Sequence, residues 1–199
     1  MRKRLAKAAK NIKSETNREY YETVRDILEH PVVRKMSEFK HHYGTSCYRH
    51  CLNVSYMNFI ICKKLHLDAR AAARAGMLHD LFLYDWHKHA KETGNHFHGL
   101  THPRYAMKMA EKNFELSKKE KEIILHHMWP LTITLPTSKE GFITTITDKI
   151  GGLLEMTDYF TEKIFPSRKT IDDNITSLNE MLLSFINDKT GFFNSSDKE

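Results

Sequence analysis

Ala69-Arg70-Ala71-Ala72-Ala73-Arg74-Ala75-Gly76-Met77-Leu78-His79-Asp80-Leu81 is the stretch on which the fold turns. Asp68 is a helix N-cap residue immediately before it, and Ala71, Ala72, Ala73 and Ala75 leave a surface that other helices can approach closely. The spacing predicts a helix from Ala69 to about Leu81, ending on the His79-Asp80 doublet.

Helical periodicity recurs on both sides of this stretch. Upstream, Ser46 is placed to cap a helix running to about Leu65, with Leu52, Tyr56, Phe59, Ile60 and Cys62 or Lys63 spaced for one buried stripe. Before that, residues Glu15 to Leu28 read as a helix stopped by the His30-Pro31 step, because the residue preceding a proline avoids helical dihedrals. Downstream, Pro103 suits the first turn of a helix to Phe114. Ser117 with Glu120 forms a capping-box pattern for a helix to Met128. Two more helices are expected, from about Glu140 to Phe160 and from about Thr170 to Asn187. Trp129 to Lys139 holds two prolines and reads as loop.

Strand-like alternation is hard to find. The predicted class is therefore all-α, a single-domain helical bundle. Its expected parts are an N-terminal helical extension packed on the core (1–44), the core itself (45–160), and a C-terminal helix with a disordered tail (161–199).

Composition narrows the function classes. The 199 residues suffice for one well-buried core, and 40% hydrophobic with 28% charged content is that of a globular chain. Apolar runs reach about four residues, as in Phe59 to Cys62, where a bilayer span needs about 20. Three cysteines cannot build a disulfide framework, and no secretory signal is visible, so the expected location is cytoplasmic. The net charge of +6 is local: six of the 31 basic residues fall in 1–13, which leaves 25 against 25 acidic residues in the rest. A neutral body argues against a nucleic-acid partner, and the arm reads as the solvated start of a helix.

Histidine is the anomaly. There are 13, six of them from His79 to His102. Beyond the doublet, His50 lies within the preceding helix, His102 follows the long polar stretch, His126-His127 close the next helix, and Asp148 sits in the middle of another. Imidazole nitrogens with carboxylate oxygens suit divalent ions such as Mn, Fe and Zn. Placing one candidate on each of several helices is how a bundle aims ligands at one central point. Cys47 and Cys51 flank His50 but read as reduced core thiols, since no second cysteine pair exists for a structural zinc site.

In this order the chain resembles the HD-domain metal-dependent phosphohydrolases, whose signature is a histidine, then His-Asp, then a distant aspartate. The match is His50, His79-Asp80 and Asp148. It is most similar to longer variants with two further histidines, such as the bacterial dinucleoside tetraphosphate hydrolases and the HD-GYP cyclic-dinucleotide phosphodiesterases; here His102 and His127 or its rival His126 fill those places. Adjacent helical residues point about 100° apart, so one of that pair faces the site; His127-Met128-Trp129-Pro130 resembles a subgroup of small bacterial HD hydrolases and favours His127. Two departures stand out. The Gly-Tyr-Pro motif is absent, and Leu81 to Trp86 holds no lysine of the kind those enzymes carry after the doublet.

The resemblance implies one or two divalent ions (Fe, Mn, Zn, Ni or Mg, with Fe or Mn favoured) held by His50, His79, Asp80, His102, His127 and Asp148, with Asp80 bridging two ions. It implies hydrolysis of a phosphate ester or anhydride of a nucleotide or other small phosphorylated compound by hydroxide held at the metal, as a phosphomonoesterase, a phosphodiesterase or a dinucleoside polyphosphate hydrolase. A catalytically silent nucleotide-binding or sensing module is the alternative. A homodimer stays open; a membrane partner is not expected.

Further roles follow by position. Arg74, Arg104 and Lys149 are candidate phosphate clamps, each with a surface ion pair as the bland reading. Asp85 is a candidate to orient a water or protonate a leaving group. Phe82 to Thr101, about 20 residues long with Gly94 and Gly99 as hinges, reads as a lid over the site, with His98 as its substrate contact. His41-His42 read as surface residues, with the pocket rim as the lesser reading.

Overall fold

Ser46 accepts a hydrogen bond through its side chain from Arg49 N (3.2 Å) and starts the helix at the centre of the fold. The computed structural model describes residues 2–41, 45–84 and 98–164, with side chains described over 15–41, 45–84 and 99–157. Among the described residues there are seven α-helices: α1 (Arg2–Leu28), α2 (Pro31–Arg34), α3 (Cys47–Lys64), α4 (Ala69–Leu78), α5 (His98–Asn113), α6 (Lys118–His126) and α7 (Lys139–Ile164). The fold is all-α: no strand joins them, only an isolated bridge between Lys40 and Ser46. Also among the described residues, no helix is long and apolar enough to cross a membrane.

Helix α3 packs against α4 and α7, while α4 packs also against α1 and α6. With neighbours on several sides, α3 is buried around most of its circumference rather than along the single expected stripe; Cys47, Tyr48, Cys51, Val54 and Phe59 all lie inside. Asp68 caps α4 by accepting from Ala71 N (2.9 Å), and every residue from Ala71 to Leu78 is buried. The α3–α4 approach is close enough to require Gly76, since a Cβ there would stand 2.7 Å from Asn58 Nδ2 and 2.9 Å from the Ser55 Cα. The same seam is tied by Ser55 Oγ donating to Ala73 O (2.7 Å) and Asn58 Nδ2 donating to Ala72 O (3.1 Å).

The boundaries correct several expectations. Helix α1 is helical from Arg2, well before Glu15. Helix α4 ends at Leu78, not near Leu81, and His79 is its C-cap. Helix α5 starts at His98, so Pro103 is inside it. Proline there removes the single bond its N–H would have given to the Gly99 carbonyl, and with barely one turn upstream the helix tolerates the loss. Helix α6 carries the reciprocal capping box of Ser117 and Glu120, as the sequence pattern indicates, and stops at His126 rather than Met128. The expected helix from Thr170 to Asn187 and the C-terminal tail lie outside the described residues, as does the lid stretch from 85 to 97.

Candidate metal centre

Five elements each bring a chemistry-bearing side chain to one buried point. His50 comes from the first turn of α3, His79 and Asp80 from the end of α4, His102 from α5, His127 from the end of α6, and Asp148 from α7. All but Asp148 are buried, and the Asp148 side chain is 14% exposed. Two donor triads result. In the first, Asp148 Oδ1 lies 3.1 Å from His50 Nε2 and 3.5 Å from His79 Nε2. In the second, Asp80 Oδ1 lies 3.1 Å from His102 Nε2 and 3.6 Å from His127 Nε2, and the two imidazole nitrogens are 2.9 Å apart. Asp80 Oδ2, 3.7 Å from His79 Nε2, joins one triad to the other.

Helix termination explains how two of these rings are aimed. His79 and His127 are the C-caps of α4 and α6, where the ring can fold back on its own helix. His79 Nδ1 donates to Gly76 O and His127 Nδ1 donates to Ile124 O, both at 2.8 Å. A carbonyl can only accept, so the proton is fixed on Nδ1 and the Nε2 lone pair faces the centre. His50 reaches the same state by another route, its Nδ1 donating to Glu155 Oε1 at 3.0 Å.

This donor set fits a divalent cation. Lone pairs of three imidazoles meet carboxylate oxygens at 3.1–3.7 Å, an arrangement that is repulsive unless protons or a cation lie between them. Two ligands at about 2.1 Å from one ion stand roughly 3.0–3.4 Å apart for octahedral or tetrahedral angles; the His50–Asp148 separation of 3.1 Å falls in that span and the others lie slightly above it. His79 Nε2 and Asp80 Oδ1 are buried atoms with no well-formed hydrogen bond among the described residues. Among the described residues, the groups whose ligand atoms lie close enough to hold an ion are His41–His50–Asp80, His50–His79–Asp148 and His79–Asp80–His127.

Without a cation, protons take its place. Burial disfavours charge on His50, but the carboxylates of Asp148 and Glu155 outweigh it and raise the imidazole well above its ordinary range. At His79 burial is likewise outweighed, mainly by Asp80. Burial would raise Asp80 and Asp148, yet the imidazoles of His79 and His102 hold the first, and those of His50 and His79 the second, well below the usual carboxylate range. His127 goes the other way: burial, then the neighbouring His79 and His102, push it down to about 3, which keeps it a neutral ligand.

The family model of the HD domain matches residues 47–152. The chain belongs to the HD domain family. The matched segment contains His50, His79, Asp80, His102, His127 and Asp148. Comparison with curated proteins and with solved structures finds no match. Family membership together with the His/Asp clusters places this HD domain in a superfamily made up mostly of metal-dependent phosphohydrolases and indicates a divalent metal as its cofactor.

Other residues singled out in the sequence fall elsewhere. His126 is turned away from the centre, 3.3 Å from Glu122 Oε1, so His127 is the member of the pair that faces inward. Arg74 is corrected from phosphate clamp to structural cation: buried, it donates through Nε to Glu120 Oε1 (2.9 Å) and through Nη1 to Asp26 Oδ1 (2.6 Å). Lys149 stays at the margin of the centre, with Nζ donating to His127 O (3.2 Å) and 4.0 Å from Asp148 Oδ2. Arg104 is exposed on α5. His98 is the first residue of α5, a helical rather than a loop position, while its side chain and Asp85 lie outside what the structure describes. Cys47, Cys51 and Cys62 are free and buried; burial pushes the Cys47 thiol up, and its Sγ donates to Asp80 O (3.2 Å).

Two residues of the centre escaped the sequence reading. His41, read mainly as surface, is buried with Nε2 3.0 Å from Asp80 Oδ2 and its ring stacked on His50 at 4.0 Å between centroids. Glu155 was not singled out at all. Its signal is its register: seven residues after Asp148, two helical turns along one face of α7, with Gly151 between them lying against the His50 ring (Cε1 3.5 Å from an added Cβ).

Proposed function

We propose that this HD domain hydrolyses a phosphate ester or anhydride of a nucleotide or other small phosphorylated compound, using two divalent cations with Fe or Mn foremost. The observation that carries the reading is the pair of donor triads linked through Asp80, with the inward lone pairs of His79 and His127 set by backbone carbonyls. His50, His79, Asp148 and Asp80 would hold one ion, and Asp80, His102 and His127 the other. The set is nitrogen and oxygen only, and the nearby thiols stay protonated in the core, which suits Mn or Fe better than a softer ion. Bound divalent cations supply Lewis acidity toward a phosphoryl oxygen and a nucleophilic water near neutral pH.

The protein's own part is positional. The backbone bonds of His79 and His127 keep their Nε2 lone pairs turned toward the centre, and the low-dielectric surroundings strengthen each charge interaction with a bound phosphate. Lys149, its side chain 44% exposed beside Asp148, is placed to meet a phosphoryl oxygen at the solvent side, which supports a role in substrate binding that Arg74 cannot fill. The fully buried Leu81 and the nearly fully buried Phe82 occupy the positions after the doublet, so no cation reaches phosphate from there.

The test is metal analysis of protein purified without chelators, followed by phosphate release from a chromogenic phosphoester and a nucleotide panel with Mn²⁺ or Fe²⁺. Turnover that chelation abolishes and Mn²⁺ restores is expected. Full metal occupancy without turnover on any member of the panel would replace the enzyme by a silent binding module.

A further inference from the structure

His41 and Glu155 lie outside the segment that matches the HD family, one before residue 47 and the other after residue 152, yet both side chains are buried in the centre. They are joined to it in a continuous chain. Asp80 Oδ2 accepts from His41 Nε2 at 3.0 Å, and His41 Nδ1 stands 3.6 Å from Glu155 Oε2. Glu155 Oε1 in turn accepts from His50 Nδ1 at 3.0 Å, and His50 Nε2 faces Asp148 Oδ1 at 3.1 Å.

The need for such a chain follows from where His50 sits. His79 and His127 are helix C-caps, and each uses the carbonyl three residues back to fix its tautomer. His50 is the fourth residue of α3, where the preceding carbonyls are engaged in starting the helix; its own N–H bonds Ser46 O at 3.0 Å. Among the described residues the partner of its Nδ1 is a side chain and not a backbone carbonyl, a carboxylate that comes from another element. Helix α7 delivers it, with Asp148 and Glu155 two turns apart gripping the ring from either end across Gly151. Asp80 has a matching problem. As the residue that links the two triads it must hold Oδ1 toward His102 and His127 and Oδ2 toward His79, and a freely rotating carboxylate would blur the two. The His41 donor on Oδ2 fixes that rotation, and His41 is itself held by its backbone N donating to Thr45 O (2.7 Å) and by stacking on His50 (19° between planes).

We propose that His41 and Glu155 are positioning residues supplied by the flanks of the HD domain, Glu155 holding His50 in the tautomer that offers Nε2 and His41 orienting the shared carboxylate of Asp80. This rests on reading the centre as a divalent-metal site. Outer hydrogen-bond partners of metal ligands are worth about 10- to 100-fold in metal affinity. Glu155→Ala should therefore weaken one of two ions by about that factor and leave the other unchanged, while His41→Phe, which keeps the stacked ring but removes the donor, should weaken both.

The full chain is used throughout, with Mn²⁺ stoichiometry and affinity read by competition with a chelator, and the His50 Nδ1–H resonance followed by ¹⁵N NMR in zinc-loaded protein. In the unsubstituted protein that proton is expected downfield and slow to exchange, and in Glu155→Ala it is lost. Glu155→Gln fills the same volume with a neutral acceptor, so an affinity between those of the parent and Glu155→Ala supports positioning, and this variant decides the matter where Glu155→Ala does not fold. Asp80→Ala separates the two levels of failure. Metal uptake lost in Asp80→Ala but unchanged in Glu155→Ala, Glu155→Gln and His41→Phe overturns the positioning roles alone. Uptake unchanged in Asp80→Ala as well overturns the metal centre and the proposal with it.

Discussion

Two clusters of charge are buried in this HD domain, and they are built on opposite rules. Around Arg74 every charged partner is of opposite sign: its guanidinium meets Glu120 and Asp26 and donates also to the Thr23 carbonyl, and the second oxygen of Glu120 accepts from Ser117 N at 2.6 Å as half of the capping box of α6. Around Asp80, imidazole lone pairs confront carboxylate oxygens and each other, and buried atoms of His79 and Asp80 make no well-formed hydrogen bond among the described residues. The first cluster is complete within the protein. The second leaves buried donors that a cation would satisfy, which is why the first reads as structure and the second as a site.

Exchanging the central residue of each cluster should separate them most widely. Asp80→Ala removes the carboxylate that links the two triads, and hydrolysis should fall by on the order of 10³-fold or more, with metal content falling too. Arg74→Ala should leave turnover per folded molecule intact while costing up to about 3–5 kcal/mol of stability, because Glu120, 2% exposed, loses its close buried cation and keeps only Arg70 at 3.9 Å. The Asp26 partner, 57% exposed, adds little to that figure. Thermal melts beside steady-state rates check both. A stable, inactive Arg74→Ala variant would dissolve the distinction between the clusters.

Acid should act strongly on the centre. In the metal-free protein the folded-state values of His50 and His79 are raised, so the stabilisation from their protonated forms is complete below about 6.5 and is lost as pH rises through the raised values. Asp80 and Asp148 are lowered, so their contribution is present above about 3.8 and is lost as pH falls through the lowered values. A metal has to displace the protons on His50 and His79, which steepens its apparent affinity by up to about a hundredfold per pH unit while both are bound. The rise in melting temperature on adding Mn²⁺ should accordingly be small at pH 6 and larger at pH 8. A rise that does not vary with pH would mean that the metal binds elsewhere.

The bundle was legible in the sequence because its signals are local. Ser46, Asp68 and the Ser117/Glu120 pair act within one helical turn, and the structure shows all three caps. The six candidate ligands were legible as residue types at spacings that family members share. Less legible was what lies between elements. Arg74 looked like a clamp because the sequence does not show that α6 brings Glu120 against it. His41 looked like a surface residue because the bridge of Lys40 to Ser46, which turns the preceding chain into the centre, leaves no periodic trace. Glu155 shares a helical face with Asp148, but the pairing has meaning only once the His50 ring is known to lie between them.

The smallest expected effect lies in the adjacent pair at the end of α6. His127 is 1% exposed, with its Nε2 2.9 Å from that of His102, so His127→Ala should empty the second triad and cost most of the activity while one ion stays bound. The His126 side chain, 22% exposed, pairs with Glu122, and Glu122 is held independently by Thr137 N and Ser138 Oγ, both at 2.6 Å. Burial would raise Glu122, but the bonds from Ser138 and Thr137 outweigh it and keep the carboxylate ionised without help from the imidazole. His126→Ala should therefore change stability by no more than about 0.5 kcal/mol and leave metal stoichiometry at the parental value. Stoichiometry measured on both variants decides it, for loss of an ion from His126→Ala and not from His127→Ala would reverse which face of α6 turns toward the centre.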